Sequence, residues 1–469
     1  MRIKHVIALV LALSLAMLCA CSAKRGEEMV MNNVESAPIQ AVVRTPVPEW
    51  ANAAVMYEVN IRQYTREGTF QAFEAHLPRL KELGVDILWL MPIHPISETR
   101  RNGTLGSYYA VDDFKAINPE FGTAEDFRSL VNKAHQLGFR VILDWVANHT
   151  GWDHDWTANE GWHTVNDSGE IIHPAGTNWL DVADLNYDNQ DMQTAMLEAM
   201  RYWVAEFDID GYRADYAGGV PLAFWEQARE ELEQIKPVYM LAEDDQQLRL
   251  LTRAFNSNYG WGLNNIMNQI AKGRGNAEQV KRYAQRLEQQ YPIGMYPLHF
   301  TSNHDENSWT GTEYERLGEA VQAMAALTFT LPGMPLIYSG QEVGLDRRLK
   351  FFDKDEINWT DHAMQDFYRE LTHLKHDNPA LWNGEAGGAY RSLEVDNEHI
   401  LAFERTKDDN TVLVVMNLAS ERAEQAVISG IKPGDYVTFD GQTRVGLAAQ
   451  HTVDLDQWSY MIYILAMET

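Results

Sequence analysis

The sequence predicts an α/β chain built as a (β/α)8 barrel, with a small domain inserted after the third strand and a C-terminal antiparallel β-sandwich domain. Three features predict it. From Val55 onward, short apolar runs alternate with amphipathic stretches, the rhythm of repeated βα units. About eight such units fit into roughly 330 residues, which favours a closed parallel barrel over an open doubly wound sheet. No Gly-x-Gly-x-x-Gly follows the first strand run, which argues against a dinucleotide-binding sheet.

In chain order the strand runs fall at 55–60, 86–92, 140–145, 210–215, 238–243, 296–302 and 335–339, with a weaker run at 254–256 in the gap between the fifth and seventh. Helical patterns at 70–83, 124–137, 192–207, 222–235 and 317–331 lie between them. Gly84 and Gly138 each follow a leucine and precede an apolar run, the position of a helix stop. Thr123 and Asp126 have the spacing of a capping box at the start of the second helix. Residues 147–190 break the rhythm: they are polar, rich in Trp, His, Asn and Asp, and directly follow the third strand, and a loop of that length usually carries function. After Asn383 the pattern turns to alternating β-branched runs at 399–406, 411–417, 436–439 and 460–465. The barrel is therefore placed at 51–383, with 147–190 as its insertion, and the β domain at 384–469.

Of 469 residues, 39 are Lys or Arg and 67 are Asp or Glu, for a net charge of −28. This acidity excludes nucleic acid as a partner, because phosphate binding needs clustered cations, and it suits a neutral substrate. The 45% hydrophobic content excludes disorder. The two cysteines, Cys19 and Cys21, both lie at the N-terminus, so the rest of the chain forms no disulfide and no Cys-based zinc site. Arg2 and Lys4 precede an apolar run at 6–18 that is too short to span a bilayer and fits a signal peptide over 1–20. Its end, Leu18-Cys19-Ala20-Cys21, resembles a bacterial lipoprotein processing site. That resemblance implies acylation of Cys21, contact with membrane through the lipid anchor only, and a place in the cell envelope; the alternative is a plain secretory peptide and a secreted protein. Residues 21–50, with Pro38, Pro46 and Pro48 and no periodicity, read as a tether.

Several strand runs end in a carboxylate: Asp144, Asp215, Glu243, and Asp305 just past the seventh. In a parallel barrel these ends converge on one face, where catalytic groups sit. Arg213 and Asp215 are two apart and point the same way on a strand, so the cation holds the carboxylate ionised. Glu243 ends an apolar run and precedes Asp244 and Asp245, so burial and these like charges are expected to raise its pKa. His149 and His304 sit at separate strand ends with no His-x-x-x-His pattern, and neutral imidazoles donating to a polyol account for them without a metal. Trp145, Trp152, Trp156, Trp162, Trp179 and Tyr187 crowd the insertion and offer part of a sugar-facing wall.

The segments Asp144-Trp145-Val146-Ala147-Asn148-His149, Gly211-Tyr212-Arg213-Ala214-Asp215, Leu241-Ala242-Glu243 and Phe300-Thr301-Ser302-Asn303-His304-Asp305 resemble the four signature regions of the α-amylase family, in order and on the third, fourth, fifth and seventh strands. Gly106-Ser107-Tyr108-Tyr109 is similar to the family's upstream segment, and Asp181-Val182-Ala183-Asp184-Leu185-Asn186 to its fifth region. The resemblance implies a retaining glycoside hydrolase on starch, maltodextrins or related α-glucans, with Asp215 as nucleophile, Glu243 as general acid/base and Asp305 as transition-state stabiliser. It further implies that Tyr109, His149, Arg213 and His304 line the subsite of the reacting glucose, and that a calcium ion could use Asn148 and Asp184. No organic cofactor is implied.

Two departures stand out. Where many family members carry Lys-His after the nucleophile, on the leaving-group side, this chain has Gly218-Gly219, and Asp244 follows Glu243 where an aromatic is often found. A transglycosylase or isomerase would use the same residues. A non-catalytic glucan-binding surface protein would be free to lose Asp215 or Glu243, and the chain has both.

Overall fold

A computed structural model describes residues 46–466. The signal segment 1–20, Cys21 and the tether up to residue 45 lie outside the described residues. The first strands in chain order are β1 (Met56–Val59), β2 (Ile87–Leu90), β3 (Arg140–Trp145), β4 (His149–Gly151), β5 (Val182–Asp184), β6 (Gly211–Ala214), β7 (Tyr239–Ala242), β8 (Ser257–Tyr259), β9 (Tyr296–His299) and β10 (Met334–Tyr338). All but β4 and β5 are parallel and close a TIM barrel in the order β1-β10-β9-β8-β7-β6-β3-β2.

Alternation along the strands separates two cores. Ile87 and Trp89 of β2, Ile142 of β3, Tyr239 and Leu241 of β7 and Leu298 of β9 pack together in one buried cluster, while their neighbours Leu88, Leu90, Leu143 and Met240 join a second cluster with the surrounding helices. A period of two sends successive side chains to the lumen and to the helical ring. The capping box forms: the Thr123 hydroxyl accepts from the Asp126 backbone N–H at 3.2 Å, and the Asp126 carboxylate accepts from Thr123 N–H at 2.8 Å. Gly84 (φ 90°) and Gly138 (φ 89°) follow their helices in the left-handed conformation that a side chain disfavours.

The structure departs from the sequence pattern in five places. The expected helix 70–83 is two helices, Phe70–Glu74 and Leu77–Leu83, broken before Pro78, which stands in the first turn of the second. The expected helix 317–331 begins earlier as Glu313–Leu317 and resumes at Val321–Thr330 after a tight turn at Gly318. The sixth barrel strand lies at Ser257–Tyr259, three residues beyond the weak apolar run at 254–256. Its polar side chains are buried but paired, Ser257 with the Tyr239 hydroxyl at 2.7 Å and Asn258 accepting from the Tyr291 hydroxyl at 3.0 Å, which hides the strand from a hydrophobicity reading. Residues 46–50, expected in the tether, belong to the folded body: Val47 and Trp50 pack on the lumen cluster and the Pro46 carbonyl accepts from Arg229 and Asn256.

The C-terminal part, the fifth departure, holds more strands than the apolar runs predict: β11 (Ala389–Ser392), β12 (Glu394–Val395), β13 (Ile400–Lys407), β14 (Asn410–Asn417), β15 (Ala423–Ser429), β16 (Gly434–Thr438), β17 (Arg444–Leu447), β18 (Gln450–Leu455) and β19 (Tyr460–Leu465). They form a six-stranded sheet, β11-β13-β14-β19-β16-β17, and a three-stranded sheet, β12-β15-β18. Ile400, Leu413, Val415 and Tyr463 from the first pack with Ile428, Val453 and Leu455 from the second. The missed strands carry mostly exposed residues on one side, as antiparallel strands with one face to solvent do. Among the described residues no helix is long and apolar enough to cross a membrane.

Candidate active site

The C-terminal ends of the strands bring the predicted residues to one cleft of about 560 Å³, lined by Tyr109, His149, Asp215, Glu243, His304 and Asp305 among others. Arg213 organises its floor. This residue is fully buried on β6, and its guanidinium reaches Asp144 at 2.8 Å, Asp215 at 2.9 Å and Glu243 at 3.0 Å, with Nε donating to the Tyr259 hydroxyl at 3.0 Å. Adjacent register explains the cluster: Asp144 of β3 pairs with Arg213 of β6, and Arg213 with Leu241 of β7, two residues before Glu243. One cation thus holds Asp215 and Glu243 on its two terminal nitrogens.

Burial pushes the Glu243 carboxyl up to about 8; Arg213 opposes this, and the charges of Asp215 and Asp305 add to it. The like charges expected from Asp244 and Asp245 are not the ones that act. Asp244 is turned into its own loop, where it accepts from the backbone N–H groups of Gln246 and Gln247, and Asp245 accepts from the Gln246 side chain. Burial also raises Asp144, to about 6, against the pull of Arg213. Asp144 is further held by Trp89 Nε1 at 3.2 Å and the Tyr109 hydroxyl at 3.0 Å.

His304 corrects the expectation of two neutral imidazoles. Burial works against its charge, but Asp305 and Glu58 outweigh burial and raise it to about 9, so it is protonated at neutral pH. Nδ1 is bonded to the buried Glu58 of β1, Nε2 lies 2.8 Å from the Tyr109 hydroxyl and 3.4 Å from Asp305. The Tyr109 ring stacks over His304 at 5.7 Å. His149 follows the expectation: burial lowers its pKa and it is neutral. Sequence reasoning missed Glu58 and Tyr259, which reach the site from strands with no motif; the only signal was a lone charge inside the apolar run of β1.

Of the six aromatics expected in a wall, only Trp179 lines the cleft. Trp145 is buried among His94, Phe114 and Tyr212, while Trp156 and Trp162 pack on each other at 5.2 Å. The other aromatic surfaces come from Tyr216, Trp309, Phe351 and Phe352. Trp309 donates its indole N–H to Asp305 at 3.2 Å and packs on Phe351 at 5.2 Å.

Asn148 and Asp184 sit where the insertion leaves the barrel, Asp184 opposite His149 across the β4–β5 ribbon. Burial raises the Asp184 carboxyl, the condition a cation would relieve, and oxygen donors suit a hard ion. Among the described residues no three His, Cys, Asp or Glu side chains gather into a metal group, so calcium here would complete its shell with backbone carbonyls and water.

The model of the α-amylase catalytic domain matches residues 39–171 and 176–429. The chain belongs to the α-amylase family. Among relatives within the α-amylase family, it is 29% identical over 446 residues to the α-amylase MalA of Haloarcula japonica, covering 90% of this chain and 64% of that protein, so it spans just under two thirds of that relative's length. Among solved structures it is similar to a noncanonic maltogenic α-amylase, AmyB, from Thermotoga neapolitana, with a TM-score of 0.81, 26% identity, and coverage of 89% of this chain and 99% of that one. An α-amylase from Lactobacillus plantarum superposes with a TM-score of 0.79 at 28% identity, covering 89% and 100%.

Proposed function

We propose that this protein is a retaining glycoside hydrolase that cleaves α-1,4-glucosidic bonds of starch, maltodextrins or related α-glucans by double displacement. The observation that carries this reading is the shared guanidinium: Arg213 binds Asp215 and Glu243 at 2.9 and 3.0 Å, and burial raises Glu243 to about 8. At neutral pH that places a protonated acid beside a carboxylate paired to a cation, the two states that a retaining mechanism needs.

Asp215 attacks the anomeric carbon as Glu243 gives its proton to the departing glycosidic oxygen, leaving a glycosyl ester on Asp215. Glu243, now ionised, takes a proton from water, and the resulting attack at the same carbon frees the sugar and restores both carboxyls. Asp305, beside His304 at 3.4 Å, faces the oxocarbenium-like charge that develops in the transition state of each step. Tyr109, His149 and His304 position the reacting glucose by stacking and hydrogen bonds, and Arg213, buried beneath the cleft, holds Asp215 and Glu243 in place. Calcium, if held by Asn148 and Asp184, would fix the insertion to the barrel and take no part in proton transfer. The chain's place is the bacterial cell envelope, anchored through an acylated Cys21; the signal-like run ending at that cysteine supports this.

Digestion of maltoheptaose tests the reading. Wild type should release shorter maltooligosaccharides, and Asp215→Asn should lower the rate by at least about 10³-fold at unchanged melting temperature. Turnover by Asp215→Asn at the wild-type rate, or binding of maltoheptaose with no cleavage by wild type, contradicts it.

A further inference from the structure

We propose that Arg62 is the positioning residue for Tyr109: it fixes the backbone just ahead of that ring and so keeps the Tyr109 hydroxyl on Asp144 and His304. The kinetic consequence rests on the hydrolase reading above; the positioning itself does not.

Arg62 lies in the short helix Ile61–Tyr64 that follows β1, and only 1% of it is exposed. Taking a guanidinium out of water is costly unless its donors find partners. One carboxylate is at hand, Glu120 at 3.3 Å, and that side chain is itself 40% exposed. The remaining partners are neutral and belong to a single stretch of the loop after β2. Nη1 donates to the Gly106 carbonyl at 3.2 Å and Nη2 to the Leu105 carbonyl at 3.3 Å, while the guanidinium carbon stands 4.3 Å from the centre of the Tyr108 ring. The grip therefore covers the residues that immediately precede Tyr109.

Gly106 lets two successive carbonyls meet one guanidinium. It adopts φ 78°, and a Cβ there would stand 2.7 Å from the Ile96 side chain and 3.1 Å from that of Arg101. A planar fork fixes both the distance and the direction of two acceptors, which the compact charge of a lysine does not. Beyond the grip, the Tyr109 N–H donates to the Ser107 hydroxyl at 3.2 Å, and the phenol reaches Asp144 at 3.0 Å and His304 at 2.8 Å. Tyr109 thus ties together groups from β3 and from the segment past β9, yet it stands in a stretch with neither helix nor strand to hold it. Misplacing a group in a reacting constellation by about 1 Å can cost about 100-fold in rate, so an anchor at this point has a kinetic effect. Arg62 does not line the cleft and acts through Tyr109, not on the substrate.

A double-mutant cycle with two readouts tests this. Arg62→Met and Arg62→Lys are each made in the wild type and in Tyr109→Ala. Values of kcat/KM are measured on maltotriose, and the His304 imidazole resonance, which senses the Tyr109 ring stacked on it, is followed by NMR without substrate. Both Arg62 variants should lose about 10- to 100-fold in kcat/KM, since lysine keeps the charge but not the fork. Each double variant should match Tyr109→Ala within about 2-fold, because an anchor has nothing left to position once the ring is gone. The His304 resonance should move in both Arg62 variants toward its position in Tyr109→Ala. Arg62→Lys carries the same cycle where Arg62→Met does not fold. Losses that multiply in the double variants, a wild-type rate in Arg62→Lys, or an unmoved His304 resonance would each overturn the assignment and leave the hydrolase reading standing. A wild type that cleaves no maltotriose, with the His304 resonance displaced as expected in the variants, overturns the hydrolase reading and leaves the positioning role in place.

Discussion

Glu58→Gln removes one of the two carboxylates that keep His304 charged and leaves an isosteric hydrogen-bonding group in its place. His304 titrates at about 9 in the folded protein and near 6.5 as a free side chain, a difference worth about 3 kcal/mol. Because the folded value is raised, this stabilisation is complete below pH ~6.5 and fades as pH climbs through 9. Loss of an opposite charge at hydrogen-bond distance should lower the His304 pKa by about 1–3 units, with Asp305 at 3.4 Å retaining part of the shift. About 1–3 kcal/mol of stability at pH 6.5 should therefore vanish, while at pH 10 the variant and wild type should nearly coincide. Urea unfolding of both proteins across this range, with the His304 imidazole followed by NMR, reads both quantities. An imidazole that titrates at about 9 in Glu58→Gln, or a stability difference that does not depend on pH, would refute the reasoning.

The other predictions concern the remaining site groups and the chain's anchor. The kcat/KM of wild type should fall above about pH 8 as Glu243 loses its proton, and Glu243→Gln should retain hydrolysis of α-glucosyl fluoride, whose leaving group needs no acid, far better than hydrolysis of maltooligosaccharides; equal losses on both would reassign the acid. Calcium at millimolar concentration should raise the melting temperature and a chelator should lower it, through ligand linkage at Asn148 and Asp184; a melting curve indifferent to both contradicts that site. Full-length chain expressed in a bacterium should fractionate with membranes and yield, by mass spectrometry, an N-terminal acylated Cys21; a soluble product cut elsewhere contradicts the anchor.

The barrel was legible because strands buried on both sides must read as apolar runs, and β1, β2, β3, β7 and β10 largely do. β8 was not, since its Ser257 and Asn258 are buried through hydrogen bonds that no apolar pattern records. Asp215, Glu243, Asp305, Arg213, His149 and His304 were legible because they stand at or just past strand ends, which a barrel gathers on one face, whereas Tyr109, in the long loop after β2, was legible only through the resemblance of its segment. Glu58 was hidden: its partner is 246 residues away, and nothing local distinguishes a strand glutamate that charges a histidine from one that does not. The protonation of His304 and the identity of the charges acting on Glu243 depend on that three-dimensional proximity. Spacing along the chain favoured Asp244 and Asp245, which the fold turns elsewhere.

The central claim is that Asp215 and Glu243 act as a retaining pair, and the anomeric configuration of the first product tests it most directly. Hydrolysis of an α-linked maltooligosaccharide is followed by proton NMR during the first minutes, before mutarotation scrambles the new reducing end. Two displacements at one carbon predict the α-anomer. Initial release of the β-anomer would mean a single inverting displacement by water, and the assignment of Asp215 as nucleophile would be wrong.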